Sequence, residues 1–293
     1  MRRLLVISDK SAGKQLALLH ALEVARVTGA AIELVGFIHA AGVDSSEILT
    51  HEEKRKIHNS YVDKKQAELD DFIKSIDVSG VDLSTDVVWE KSLEKWVVAR
   101  CGQKSFDMVF KSGTRKDSFT YTSTDWQLMR NCPEAIMIVA DNPWKEGGVI
   151  LAALDLGSTN ERNLILNEDI MRNAIKLGKA TNSDVHACYS LSIPKALVDL
   201  DLINPVAYEK RARDHLDPIL KILMDEAGLD PDKLHIFNSK SKPAKGICRI
   251  AKKVAADAIV LGCKSQHSLR GRLMGNTAEK ILNKTTADVV VIK

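Results

Sequence analysis

The sequence predicts an α/β protein built from two tandem copies of one unit, each a parallel sheet of five strands with helices on both faces. Its 293 residues suit two domains at about 100–200 residues each. Apolar runs recur about 150 residues apart, which indicates a domain duplication rather than a solenoid. The runs are continuous in Val, Ile and Leu, a pattern typical of strands buried on both faces.

The duplication is visible at the start and at the end of each half. Matching apolar runs lie at 4–8 and 149–154, at 107–110 and 257–261, and at 135–139 and 288–292. The first pair of runs is followed by Asp9 in one half and by Asp155 in the other. Residues 141–148 contain one proline and two glycines, which mark a linker. We therefore predict domains at 1–142 and 147–293.

Strand and helix patterns alternate along each half, as expected for a parallel sheet with helical crossovers. In the first half we expect strands at 3–8, 31–38, 84–89, 107–111 and 135–140. We expect helices near 12–28, 47–76, 92–104 and 123–131. The second half repeats this order. Its third helix opens with Pro243, which suits the first helical turn, and its fourth opens near Asn276, a good helix cap.

The composition is that of an ordinary globular protein, with 45% hydrophobic and 28% charged residues. The net charge of +3 is too small to indicate a nucleic-acid-binding protein. Residues 1–146 carry 20 Lys and Arg against 22 Asp and Glu, whereas residues 147–293 carry 22 against 17. The excess positive charge therefore lies in the second half, where it slightly favours an anionic ligand.

Cysteine usage and the N-terminal segment predict a cytoplasmic protein. The five cysteines are odd in number, form no CxxC motif and lie at no zinc-ligand spacing with a histidine, which is typical of a reducing compartment. The apolar run after Arg2 and Arg3 is four residues long, too short for a signal peptide. No stretch of the sequence approaches the ~18 apolar residues of a membrane span.

The segment best suited to binding a ligand is 261–277, which leaves a strand and enters a helix after about a dozen residues. Gly262 at the strand exit lets backbone N–H groups approach an anion closely, and Gly275 does so where the helix begins. Successive N–H groups in such a loop form a nest of phosphate size. Three basic residues of the segment add positive charge: Lys264, Arg270 and Arg272.

With these residues the chain resembles the universal stress proteins, whose nucleotide-binding members carry the loop motif G-x2-G-x9-G-[S/T] at this point. Gly262 takes the first glycine position and Gly275 the last. Ser265 replaces the middle glycine, and Asn276 stands at the final hydroxyl position with Thr277 after it. The resemblance covers essentially the whole chain. It implies two Rossmann-like domains of the adenine nucleotide alpha hydrolase-like type.

The resemblance also implies where a nucleotide would bind in the second half. The family places an aspartate at the end of the first strand, near the adenine; Asp155 has that position, and Asp9 has it in the first half. The backbone after the second strand, around Ala187 and Cys188, would line the base. The implied cofactor is ATP, with or without Mg²⁺. The full set of expected binding residues is Asp155, Leu156, Ala187, Cys188, Gly262, Lys264, Ser265, Arg272, Gly275, Asn276 and Thr277.

The first half is the degenerate one. Its loop, 111–126, is three residues shorter, has Ser112 in place of Gly262 and lacks the closing glycine. The stretch 123–133 is similar to the long tandem family members of proteobacteria. In the family, domains pair through their last strands, so this resemblance implies pairing between the last strands of the two halves. The protein would then be a monomeric pseudo-dimer, with a homodimer as the alternative.

The leading hypothesis is a stress-response sensor or adaptor that binds an adenine nucleotide in its second half. It would have at most weak ATP hydrolysis, because no nucleophile–base pair, carboxylate pair or metal cluster stands out. The alternative is an interaction or scaffold protein without nucleotide, or one that binds another small ligand, including an apolar one.

Two enzyme classes are disfavoured by the first strand and the turn after it. A nucleotidyl-transfer enzyme would carry an SGGxDS or a HIGH signature there, and neither is present. A P-loop is disfavoured as well, because residues 8–15 contain a Gly-Lys pair but lack the first glycine and the magnesium-binding hydroxyl of that motif.

Overall fold

A computed structural model describes residues 1–10, 13–113, 115–116, 120–121, 123–140, 144–145, 147–157, 160–191, 200, 202–204, 206–212, 214–216, 230–238, 243–263, 266–268, 271–273 and 276–293. The chain divides into two compact units. The first comprises Met1–Thr114 and Thr122–Pro143, and the second comprises Arg115–Tyr121 and Trp144–Lys293.

The main strands of the first unit are all parallel to their neighbours. They are β1 (Arg3–Ile7), β2 (Ala31–Ile38), β3 (Leu83–Trp89), β4 (Met108–Ser112) and β7 (Ile136–Val139). Across the sheet they follow the order β7–β4–β1–β2–β3. A short antiparallel pair, β5 (Arg115–Lys116) and β6 (Thr120–Tyr121), comes after β4 along the chain.

The helices of the first unit are α1 (Leu16–Thr28), α2 (Ala41–Asp44), α3 (His51–Lys74), α4 (Leu93–Gln103) and α5 (Ser123–Asn131). The long helix expected near 47–76 is confirmed as α3, which begins at His51 because Thr50 caps it with a capping box, whereas the short α2 before it was not expected. Glu53 N donates to Thr50 Oγ1 at 3.3 Å, and Thr50 N donates to Glu53 Oε2 at 2.8 Å. Such a reciprocal pair satisfies N–H groups at the helix end and defines its first residue.

The second unit repeats the strand arrangement of the first. Its strands are β8 (Val149–Leu154), β9 (Asp184–Leu191), β10 (Leu234–Asn238), β11 (Ala258–Gly262) and β14 (Asp288–Ile292). They are parallel and follow the order β10–β9–β8–β11–β14. An antiparallel hairpin, β12 (Gln266–Ser268) and β13 (Gly271–Leu273), lies between β11 and β14 in the chain. The predicted α/β fold with a parallel sheet is therefore confirmed.

The helices of the second unit are α6 (Glu161–Ala180), α7 (Pro243–Lys253) and α8 (Asn276–Leu282), with helical residues also at 206–212 and 214–216 and a 3₁₀ turn at Pro231–Lys233. The starts expected at Pro243 and Asn276 are confirmed. None of the described helices is both long enough and apolar enough to cross a membrane.

In each unit, an aspartate just before the fourth strand accepts hydrogen bonds from the backbone at the start of the first strand. Asp107 Oδ2 accepts the backbone N–H of Arg2 at 2.6 Å and of Arg3 at 3.1 Å. In the second unit Asp257 Oδ2 accepts the N–H of Val149 at 2.9 Å. The same contact at positions 150 residues apart shows that the duplication extends to individual hydrogen bonds.

Candidate functional site

The strand order of each unit defines a crevice at the carboxyl edge of its sheet. From β1 the chain proceeds in one direction to β2 and β3, whereas β4 and β7 lie on the other side. The crevice of such a sheet lies outside the strand ends where the order reverses, here β1 and β4. By the same reasoning it lies outside β8 and β11 in the second unit. Four residues mark these strand ends: Asp9 and Ser112 in the first unit, Asp155 and Gly262 in the second.

The backbone of Asp155 is held in place by a buried asparagine. Asp155 N donates to Asn167 Oδ1 at 2.9 Å, and Asn167 Nδ2 donates to the carbonyl of Asp155 at 2.9 Å. Asn167 belongs to α6 and is buried, whereas Asp155 is exposed. The next residue, Leu156, is buried. The structure thus positions the backbone of Asp155 at the crevice with its side chain exposed, as a ligand-contacting residue requires.

Tyr189 lies close to Asp155 at the end of β8, which the sequence did not indicate. It pairs with Leu154 in the sheet, so it is level with the end of β8. A Cβ added to Gly157 would lie 2.9 Å from Tyr189 Oη and 3.8 Å from Asp155 Oδ1, which places the phenol and the carboxylate around the same glycine. Burial raises the pKa of the Tyr189 hydroxyl, and the charge of Asp155 adds to this. The hydroxyl therefore stays protonated and can act as a donor.

Gly262 has a packing role in addition to any binding role. It is the last residue of β11 and pairs with Ile292. An added Cβ would lie 2.7 Å from Leu166 Cδ2 and 3.1 Å from Ile170 Cδ1 of α6, closer than carbon atoms approach in a packed core. Glycine therefore lets α6 lie directly against the strand exit. The following Cys263 is buried and its N–H donates to Ile292 O at 2.7 Å.

Two short strands that the sequence did not indicate follow β11. They form the hairpin β12–β13, in which His267 pairs with Arg272. Arg272 therefore stands on a strand, and the helix that follows begins at Asn276, with Thr277 half-buried in its first turn. The remaining expected loop residues lie outside the described residues: Lys264, Ser265, Arg270 and Gly275.

Ala187 and Cys188 lie inside β9 rather than after it. Both are fully buried and pair with Ala152 and Ala153 of β8, which places them one or two residues below the strand end. Burial raises the pKa of the Cys188 thiol well above its usual range. This thiol is therefore a core group, not a reactive one. Their expected contact with a base remains a prediction.

In the first unit the carboxylate of Asp9 is hydrogen-bonded to residues that border the equivalent crevice. Its Oδ2 accepts the N–H of Leu16 at 2.9 Å and the hydroxyl of Ser112 at 2.9 Å. Lys65 Nζ donates to the carbonyl of Asp9 at 3.2 Å. Burial raises the pKa of the Asp9 carboxyl, partly offset by these hydrogen bonds and by nearby lysine charges. A carboxylate thus lies where α1 begins and β4 ends.

An ion pair, Lys111–Asp125, is buried near Asp9. Lys111 Nζ lies 2.6 Å from Asp125 Oδ1, and Asp125 has no exposed surface. Lys111 Nζ also donates to the carbonyl of Ser112 at 2.8 Å. In the second unit Leu261 and Ala278 stand at the matching positions, 150 and 153 residues later, and both are buried. The first unit therefore has a buried ion pair where the second unit has two apolar residues.

Metal binding finds no support in the part of the chain that the structure describes. Among those residues, no group of three or more His, Cys, Asp and Glu side chains is arranged to hold a metal ion.

Comparison with known proteins decides the family. Residues 150–293 match the model of the universal stress protein family. The full chain aligns at 26% identity with Universal stress protein E homolog of Haemophilus influenzae, over 97% of that protein, and at 26% with Universal stress protein E of Escherichia coli K12, over 94% of it. The chain belongs to the universal stress protein family. The alignments with both relatives cover the full length of this chain.

A solved structure supports the same fold. The crystal structure of a putative universal stress protein from Pseudomonas aeruginosa UCBPP-PA14 superposes with a TM-score of 0.73 at 24% identity, covering 100% of this chain and 93% of that one. Universal stress protein domains are thus the common architecture of the sequence relatives and of this structural relative. At this identity the structural similarity establishes the fold, and the ligand has to be argued from the crevices themselves.

Proposed function

We propose that this stress-response protein binds one molecule of ATP, or a related adenine nucleotide, in the crevice of its second unit and acts as a sensor or adaptor. The observation that carries the proposal is the difference between the two crevices. In the first unit, the half-buried Asp9 uses its carboxylate to bind Ser112 and the start of α1. In the second, glycine replaces that serine, and Asp155 is exposed on a backbone held by a buried asparagine. The carboxylate of Asp155 is therefore exposed at the second crevice, whereas the equivalent carboxylate of Asp9 is half-buried at the first.

The charge distribution and the loop support the same assignment. The excess of Lys and Arg lies in residues 147–293, and three of these basic residues lie in the loop that follows β11. The loop returns through a hairpin to the start of α8. Glycines at both ends of such a loop suit the approach of backbone N–H groups to phosphate oxygens.

The test is isothermal titration of the purified protein with ATP and Mg²⁺, using two matched variants. Asp155→Ala removes an exposed carboxylate whose backbone is secured by Asn167, so the variant is expected to fold. It should weaken binding about tenfold or more, the effect of losing one hydrogen bond to a polar ligand. Asp9→Ala removes the equivalent side chain of the first unit and should leave the affinity and a stoichiometry of one unchanged.

The outcomes separate the alternatives. Absence of saturation at millimolar ATP would exclude nucleotide binding. Two molecules per chain would show that the first crevice is also a binding site. A third variant, Gly275→Val, tests the loop itself; wild-type affinity in a folded Gly275→Val protein would remove the loop from the site.

A cavity in the first unit favours the second candidate function, binding of an apolar small molecule. The cavity is about 300 Å³ and lies between α1 and the residues just after α3, near the lower end of the usual size of ligand sites. Its wall is mainly apolar, and Arg26 and Asp77 are among its charged lining residues. Its lining is Leu16, Leu19, His20, Leu22, Glu23, Arg26, Ile76 and Asp77. Native mass spectrometry of protein purified from cells would distinguish a retained lipid or metabolite from a retained nucleotide.

A further inference from the structure

Two histidines face each other at the edge of the second unit. His186 lies in β9 and His235 in β10, which is last in the strand order. His235 pairs with Cys188 in the parallel register. Since alternate residues of a strand share a face and paired residues lie on the same face, His186 and His235 point to the same side of the sheet.

The two imidazoles share a hydrogen bond. His186 Nδ1 lies 2.9 Å from His235 Nε2, and the rings are nearly parallel, with an interplanar angle of 9° and centroids 5.2 Å apart. The bond needs a proton on one of the two nitrogens and a lone pair on the other. A neutral pair satisfies this, and so does a pair with one extra proton. A doubly protonated pair does not, because two N–H groups then face each other and two positive charges are in contact.

The charges around the pair are mainly positive. Asp184, two residues before His186 on the same face, is engaged by Lys233 Nζ at 2.7 Å. On the α7 side, Lys253 acts on His235. On the other side of β9, His186 pairs with the apolar Leu151 of β8. One carboxylate therefore faces two lysines, and further protons on the imidazoles would add to an excess of positive charge.

Strand β10 is the last strand in the order of the second unit. Phe237 is its one buried residue, and the other four are half-buried. It pairs with β9 and packs against α7, where Gly246 brings the helix backbone close to the Phe237 ring. Segments with few buried apolar contacts at the edge of a sheet open locally at low free energy. The hydrogen bond between His186 and His235 adds a side-chain link to the backbone pairing and the α7 contact that hold β10 on β9.

We propose that the His186–His235 pair is a proton-sensitive clasp, which holds β10 on β9 when neutral and releases it when both imidazoles are protonated. The released edge of β9 would present unpaired backbone groups, to which another extended strand can add. Acidification would in this way open the second unit at β10 while leaving the first unit closed.

The direction of the pH dependence follows from the environment of each ring. Burial lowers the pKa of His186, and the charges of His235 and Lys233 lower it further against the opposing effect of Asp184. Burial and Lys253 lower the pKa of His235. In the open state both return toward about 6.5. The open state then binds more protons, so the closed strand is fully stable above that pH and loses stability as the pH falls below it.

Hydrogen exchange of the intact protein tests the clasp. Exchange of residues 231–238 is compared at pH 7.5 and pH 5, after correction for the intrinsic rate at each pH. We expect protection of these amides to fall severalfold at pH 5, because the open state binds more protons than the closed state. The matched control is β3, which occupies the same place in the first unit and pairs with β2; neither strand contains a histidine. Its corrected protection should not change.

The variant His235→Gln provides the decisive comparison. Its amide oxygen can accept the Nδ1–H of His186 but cannot take up a proton in this range, so β10 should remain protected at pH 5. Equal loss of protection in wild type and His235→Gln would overturn the proposal. If the variant does not fold, proton NMR of the wild-type histidines decides instead. Two histidine signals that titrate near 6.5, with no change in β10, would equally refute the clasp.

Discussion

Asp9 and Asp155 stand at equivalent positions, yet their carboxylates have different surroundings. Asp9 serves as an internal anion for the first crevice, bonded to Ser112 and to the start of α1. Asp155 is exposed at the second crevice, where Asn167 satisfies its backbone. The two aspartates therefore differ in their hydrogen bonds and in their exposure, and a serine in the first unit is a glycine in the second.

The buried pair Lys111–Asp125 yields a prediction at this scale. Lys111→Leu leaves the fully buried Asp125 without its charge partner and should reduce the free energy of unfolding by about 3–5 kcal/mol. The double variant Lys111→Leu with Asp125→Ala reproduces the residues found in the second unit and should recover most of that loss, because an apolar replacement of a buried ion pair is often neutral or stabilising. Urea denaturation of both variants and of Asp125→Ala completes the cycle. A double variant no more stable than Lys111→Leu would contradict this explanation.

At the scale of the element, glycine permits close packing of helix on strand. A Cβ added to Gly246 in α7 would lie 2.0 Å from Cε2 and 2.7 Å from Cδ2 of Phe237. Phe237 is buried, so its ring cannot move aside freely. The same holds for Gly262 against Leu166 of α6. These glycines fix the distance at which helices cover the second sheet.

Two glycine-to-alanine substitutions in equivalent helices should have opposite effects. Gly246→Ala forces α7 away from β10 and should cost about 1–3 kcal/mol, as overpacking does. Gly102→Ala, in α4 of the first unit, meets no atom within 4 Å and should stabilise by about 0.5–1 kcal/mol through better helix propensity. Chemical denaturation measures both. Destabilisation by Gly102→Ala, or neutrality of Gly246→Ala, would show that the packing is not as described.

For the whole molecule, the proposed single binding crevice predicts that nucleotide should stabilise the two units unequally. At an ATP concentration one hundred times the Kd, binding should add about 2.7 kcal/mol to the stability of the unit that binds it. Hydrogen exchange should therefore slow around β8, β11 and α6 and remain unchanged in α1 and β1. Asp155→Ala at the same ATP concentration is the control. Equal slowing in both units would argue against a single site.

The sequence by itself determined the duplication, the fold class and the positions of most strands, because these depend on local apolar patterns that every copy of the unit must repeat. It also distinguished the glycine-containing loop of the second half from the degenerate loop of the first. It did not indicate the short helix α2, or the antiparallel strands β12 and β13 after β11.

Only the tertiary structure decided which side chains meet. Asp9 reaches Ser112 across 103 residues, His186 meets His235 across 49, and Gly262 packs on Leu166 across 96. Such contacts depend on the register of parallel strands joined by long crossovers, which no local pattern encodes. That register places a carboxylate inside the first crevice and leaves one exposed at the second, and this is the physical difference on which the assignment of the binding unit rests.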